Sequence, residues 1–258
     1  MTTTGSPTVS PGPTGFLDIV RRIVGTDYVH TDPLAVLAYE CDALAHARQL
    51  PAAVVLPADA VQVRAVVSAC AEAGEPFVTR GHGTGLSGGA QPVAGGIVIV
   101  LSRLNRILHV DLPNQLMTVE PGVTNLAITK RVAPFGYYYA PDPSSQQVCS
   151  IGGNVAENSG GAHCLKYGFT VHHVVAVEVV LPDGRVVQVG SDWADEPGPG
   201  ALALLVGSEG TLAIVTKVTV RLLRRPETVR TLLAAFDTVD EGAMAVSDII
   251  AAGIVKVY

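Results

Sequence analysis

The chain has 258 residues, enough for one large domain or two small ones, each with a core of its own. Hydrophobic residues make up 48% and charged residues 16%, and the mean hydropathy is +0.37, so apolar burial is not limiting. A formal net charge of -6 without clustered Lys and Arg excludes a nucleic-acid surface and favours solubility.

Apolar runs such as residues 96–101 and 201–206 are far shorter than the roughly 20 residues a membrane-spanning helix needs. The N-terminus, MTTTGSPTVSPGPTG, has neither the positive charge nor the apolar core of a secretory signal. Its composition predicts a disordered tail over residues 1–14. The four cysteines, Cys41, Cys70, Cys149 and Cys164, form no C-x-x-C pair. This argues against a disulfide scaffold and against a zinc site, and for a reduced, cytoplasmic protein. Cys70 reads as a buried thiol on an apolar helix face.

Strand-like and helix-like segments alternate from about Ala52. Residues 53–56 predict a strand and residues 59–73 a helix, with Asp59 as N-cap and Gly74 as stop. Residues 77–80 predict the next strand, followed by a Gly-rich loop over 81–96. Residues 97–101, 107–110 and 116–120 read as strands of one sheet. A helix is expected over 124–133, closing a β-α-β unit elaborated with extra strands. Residues 140–161 lack periodicity and read as a long functional loop. Strands are expected over 171–181 and 185–189, joined by the turn Pro182-Asp183-Gly184. A polar surface loop is expected over 193–200 and a short helix over 202–206. Residues 212–223 alternate as a half-buried strand, 228–236 predict another strand, and 239–252 a helix. The second half is thus antiparallel β with helices, an α+β pattern.

The sharpest motif is RGHGTGLSGGA, residues 80–90. Glycines there let backbone N–H groups converge on an anion such as a phosphate or pyrophosphate. Gly83 to Gly88 matches G-x-G-x-x-G, but that motif works where its last glycine opens a helix. Gly89, Pro92, Gly95 and Gly96 oppose a helix, so the Rossmann reading fails. No G-K-[ST] follows, which removes the P-loop. The G-x-S-x-G match at Gly85 to Gly89 also needs a helix after the serine.

In this order the loop and four further segments, EPGVTN (120–125), YYAPDPSSQ (138–146), CSIGGNVAENSGG (149–161) and GSEGTLAIVT (207–216), resemble the FAD-linked oxidases of the p-cresol methylhydroxylase and vanillyl-alcohol oxidase type. HCLKYG (163–168) adds to the match. Within that family the chain is similar to the glycolate oxidase flavoprotein subunit and to the D-lactate and D-2-hydroxyglutarate dehydrogenases. The resemblance covers residues 16–253.

It implies an α+β fold in which FAD lies between two α+β subdomains. The implied plan is an FAD-binding domain over 15–226, divided near 136–140, with 227–258 opening a C-terminal domain whose substrate cap is absent. Gly81, His82, Gly83, Thr84, Gly85, Leu86, Ser87 and Gly88 would cradle the pyrophosphate. Pro121, Gly122 and Val123 would approach the flavin. Ser145, Ile151, Gly152, Gly153, Asn154 and Asn158 would line the isoalloxazine and ribityl region, with Tyr167 and Gly168 beside it. Glu209, Gly210, Leu212 and Ile214 would hold the adenine and ribose end. Gly85 is expected to need positive φ, so that Gly85→Val would strip the flavin.

His82 stands where a small residue is usual, and some distant relatives attach FAD through a nearby His. The spacing here predicts non-covalent FAD. Ala213 replaces a usual glycine, tolerable where φ is negative. The implied substrate is a 2-hydroxy acid such as glycolate, oxidised as hydride passes to FAD. The implied partners are FAD-binding and iron–sulfur subunits, through which the protein would be peripheral to the inner membrane. No metal site and no catalytic residue can be assigned. His172 and His173 read as part of an apolar strand, and His163 is the histidine to test as a base. A truncated module that holds FAD without turnover is the alternative.

Overall fold

The computed structural model describes residues 14–191, 200–228 and 231–253. The expected tail, Thr14 apart, and the expected loop over 193–200, Gly200 apart, lie outside them.

The first unit begins with helix α1 (Thr14–Val24), strand β1 (Val29–His30) and helix α2 (Pro33–Leu37). It continues with β2 (Ala53–Val55), helix α3 (Ala60–Ala73), β3 (Phe77–Arg80) and β4 (Ile97–Val100). The strands form one sheet in the order β1-β2-β4-β3. β2 and β3 both run parallel to β4, which is inserted between them, with Val54 and Val78 each opposite Val98. Buried on both sides, β4 is a continuous apolar run, IVIV. Helix α3 starts where the Asp59 carboxylate accepts from the Gln62 N–H at 2.9 Å and ends at Gly74, φ +68. Val63, Val66, Val67 and Cys70 make its buried stripe. Burial there pushes the Cys70 thiol up to about 12. Phe16, Val20 and Val24, four residues apart on α1, close the same core.

The chain then changes sheet. β5 (Ile107–Asp111), β6 (Leu116–Val119), β8 (Val174–Val180), β9 (Val186–Gly190) and β10 (Ile214–Arg221) form an antiparallel sheet in the order β5-β6-β10-β8-β9. Helices α4 (Asn125–Val132) and α5 (Ile151–Glu157) bring Ile128, Val132, Ile151 and Val155 into its core. β7 (Tyr137–Tyr138) pairs with β11 (Leu223–Arg224). Short helices α6 (Cys164–Tyr167) and α7 (Ala201–Leu205) and the helix α8 (Val239–Ala251) complete the described chain. Val180 and Ile214, the ends of β8 and β10, pack into the first core and join the two units.

Three expectations are corrected. Residues 97–101 do not share a sheet with 107–110 and 116–120, because the turn at Leu101–Leu104 redirects the chain after β4. The stretch 140–161 is not all loop: Ser150 caps α5, which runs through Gly152 and Gly153. Thr228 and residues 231–236 form no strand, since no sheet edge pairs with them, and Leu232 and Leu233 are fully exposed. The residues near 136–140 lie within the second unit, at β7; the change of sheet falls between Val100 and Ile107.

Ile99 is fully buried at the centre of the first core. Ile99→Ala is expected to destabilise the fold by about 2–5 kcal/mol, and Asp59→Ala by about 1 kcal/mol, in urea unfolding followed by circular dichroism.

Candidate functional site

The glycine loop leaves the end of β3 and reaches β4 without forming a helix. Gly83 and Gly88 hold positive φ, +69° and +88°. Gly85 does not, so positive φ there is not the constraint; a Cβ at Gly85 would meet only the flexible Glu157 carboxylate, at 3.2 Å. Gly81 lies against α5, where a Cβ would fall 2.3 Å from the Ser150 Oγ. That hydroxyl accepts from the Gly153 N–H at 3.3 Å, capping the helix.

The turn at residues 120–123 meets α5 from the other side. The Ile151 and Gly152 N–H groups donate to the Val123 and Pro121 carbonyls, both at 2.8 Å. A Cβ at Gly152 would fall 2.6 Å from the Pro121 Cβ, and one at Gly122 only 2.7 Å from the Leu101 and Leu104 carbonyls. The turn is itself fixed by buried Glu120, which accepts from the Arg106 backbone N–H at 2.8 Å and from its Nη2 at 2.7 Å.

Between these segments lies a cavity of about 340 Å³. Of the residues assigned from the resemblance, Gly81, His82, Gly83, Thr84, Gly85, Leu86, Pro121, Ser145, Gly152, Gly153, Asn154, Glu209, Gly210 and Ile214 line it. The other nine do not. Gly122, Val123 and Ile151 serve the packing beneath it. Ser87 donates to Glu157 at the loop's outer side, next to Gly88. Asn158 ends α5 at φ +49°, and its Oδ1 accepts from the Val171 N–H at 3.0 Å. Tyr167 stacks edge-on against Tyr138, Gly168 abuts the His172 ring, and Leu212 is exposed. Asn154 touches the cavity, yet its amide is engaged inward with Asn125, Ser159 and Cys149. Ala213 is buried without positive φ, so its methyl is accommodated.

Sequence reasoning passed over Arg80, Ser144, Ser150, Glu157 and Ser208, which also line the cavity. Arg80 opens the glycine motif and was legible from position alone; Glu157 became meaningful only once α5 turned it toward Gly85 and Gly89. The titratable side chains of the described lining are Arg80, His82, Glu157 and Glu209. Burial lowers the pKa of His82, whose Nδ1 is shielded and has no hydrogen-bond partner.

The other histidines stand apart. His163, expected as the residue to test, does not line the cavity; its Nδ1 bonds to Asp142. His172 and His173 precede β8 rather than lying in it. His172 is exposed and accepts from the Phe169 N–H at 3.0 Å. His173 is buried, 2.8 Å from the Tyr167 carbonyl through Nε2, and desolvation lowers its pKa.

The folded pKa of His173 therefore lies below its unfolded value, and the unfolded chain binds the extra proton. Stability is full above about pH 6.5 and falls as pH drops below it, by at most about 1.4 kcal/mol per pH unit for this group. His82 adds in the same direction. His173→Gln is expected to remove one proton's share of that slope in unfolding measured between about pH 6.5 and 5.5.

Residues 51–190, just over half of the chain, match a family model described as an FAD binding domain. The chain is 51% identical over 235 residues to glycolate oxidase subunit GlcD of Escherichia coli (strain K12), covering 91% of this chain and 47% of that protein. It is 44% identical over 220 residues to the subunit of the same name from Bacillus subtilis (strain 168), covering 85% and 47%. The chain thus spans about half the length of the curated relatives it matches. Its fold superposes on alkyldihydroxyacetonephosphate synthase with a TM-score of 0.82 at 22% identity, over 96% of this chain and 47% of that one. A glycine loop that opens no helix, a cavity walled by backbone and a two-unit α+β fold accord with these matches, and the chain belongs to the FAD binding domain family, with FAD as its cofactor.

Proposed function

We propose that the chain is the FAD-binding part of an oxidoreductase acting on a 2-hydroxy acid such as glycolate. The observation that carries the reading is the 51% identity with a glycolate oxidase subunit, running through every segment that builds the cavity. In this reading residues 15–226 hold FAD and 227–258 begin a further domain. The likeness to a protein named as a subunit supports partner chains, which this reading takes to be FAD-binding and iron–sulfur subunits. No described helix is long and apolar enough to cross a membrane. In this reading the protein is cytoplasmic and held at the inner membrane through those partners.

Bound FAD supplies the hydride acceptor. The chain's own part is binding and orientation. Gly81, Gly83 and Gly85 bring backbone against the pyrophosphate. Gly152 and Gly153 bring backbone against the ring system, with Pro121 packed against the Gly152 side of α5. The resemblance places Glu209 at the ribose, where a carboxylate accepts from hydroxyls. Of the four titratable groups lining the cavity, His82 alone combines a lowered pKa with an unpaired ring nitrogen, and that nitrogen is turned away from solvent. This supports a second reading, in which the chain holds FAD but needs a base from elsewhere to oxidise the hydroxy acid.

Flavin released by heat is expected to run as FAD, not FMN, in chromatography. The spacing of His82 within the glycine loop favours a non-covalent cofactor, so acid precipitation is expected to leave the yellow colour in the supernatant. A yellow pellet that survives washing overturns this.

Anaerobic mixing with glycolate separates the two functional readings. Bleaching of the flavin band within seconds supports the oxidoreductase reading. An unchanged spectrum, with FAD retained, supports the holding module.

A further inference from the structure

FAD carries a diphosphate, yet the cavity presents two carboxylates, Glu157 and Glu209. Like charges at this range repel unless a cation intervenes. Among the described residues lining the cavity, Arg80 is the one side chain with a permanent positive charge. Its backbone is fixed as the last residue of β3, opposite Val100 of β4.

The side chain turns back beneath the loop it precedes. Nη1 donates to the Cys41 carbonyl at 2.7 Å, and Cζ stands 5.6 Å from the Tyr39 ring centroid. Gly83 lies directly against the guanidinium: a Cβ there would fall 2.1 Å from Nη2 and 2.5 Å from Cζ. The left-handed φ of Gly83 and the reach of Arg80 are therefore one arrangement. A guanidinium has five N–H donors, and the described protein engages one. Asp42, the nearest acid by its influence on Arg80, makes no ion pair with it; its Oδ1 accepts from the Leu44 N–H at 2.8 Å and from the Gln91 amide at 3.0 Å.

We propose that Arg80 is a ligand of the FAD diphosphate, with its guanidinium aimed from beneath Gly83 by the Cys41 carbonyl, and that Gly83 is glycine to leave it that path. The proposal rests on the FAD reading of the cavity. It gives the backbone cradle the charge that neutral N–H groups lack, and it offsets the two carboxylates.

The test is the dissociation constant of FAD for the full chain, read by quenching of flavin fluorescence at low and high salt, beside the melting temperature of the flavin-free chain. Arg80→Met is expected to weaken binding about ten- to a hundredfold and to flatten its salt dependence. Arg80→Lys keeps the charge but not the fork, and is expected to fall between. Gly83→Ala should match Arg80→Met, and the double variant should be no weaker than the worse single one, because both remove one interaction. A dissociation constant for Arg80→Met within twofold of the wild type overturns the proposal. So does equal weakening by Met and Lys with the wild-type salt dependence kept, which marks a prop for the loop. Should Arg80→Met melt early, Arg80→Lys decides: a salt dependence and affinity closer to the wild type than those of Gly83→Ala support the ligand role, and values equal to Gly83→Ala refute it. A wild-type chain that binds no FAD refutes the reading of the cavity itself, and is told apart by needing no variant.

Discussion

Backbone meets backbone at Gly122 and Gly152 more closely than any side chain permits, and the rest of the site depends on that contact. The Gly122 N–H donates to the Leu104 carbonyl at 2.7 Å, tying the turn after β4 to the turn after β6. The Gly152 N–H donates to the Pro121 carbonyl, tying that second turn to α5. The first sheet, the second sheet and the helix are thus fastened in sequence through groups that need no side chain. The same packing that joins the two units leaves a wall of backbone facing the cavity. A methyl group at either glycine would have to push main-chain atoms apart, so the cavity's shape and the junction's stability cannot be varied separately.

The sequence made legible those elements whose local and tertiary preferences agree. Helix α3 has its cap, its apolar stripe and its stop, and all three stand where the pattern places them. Helix α5 was hidden because Gly152 and Gly153 each disfavour a helix by about 1 kcal/mol. The Ser150 cap and the two bonds to Pro121 and Val123 override that preference. The same conflict blurred the site. Asn158, Val123 and Ile151 belong to motifs that resemble a cofactor-binding family, yet they hold the fold outside the cavity lining, and Asn154 lines the cavity while its amide is bonded inward. A motif preserves whatever the arrangement needs, and ligand contacts and packing contacts look alike in a sequence. Arg80 and Glu157 show the reverse: ordinary charged residues acquire their place only when a strand end and a hidden helix turn them toward one loop.

Residues 231–253 follow a different logic. Helix α8 has a full capping box, with Thr238 and Glu241 exchanging bonds at 3.2 and 3.3 Å, but no described residue of it is buried. A 13-residue helix held only by its own bonds is marginal in water. Leu232 and Leu233 before it and Val239 at its first position are exposed. The strand expected over 228–236 needs a neighbour to take its N–H and C=O groups. Among the described residues none does, so this segment should open first under any perturbation, well before the two cores.

The charges complete the division of labour. Backbone N–H groups can surround a diphosphate but carry only partial charge, and the cavity adds two acids to the same space. Binding an anion there without a cation would require desolvating it against like charge. An arginine reaching the loop from below resolves the conflict without occupying the volume the cofactor needs, provided the residue above it has no Cβ. Gly83 meets that condition at φ +69°. Both carboxylates stand against Gly89, and Glu157 also accepts from Ser87.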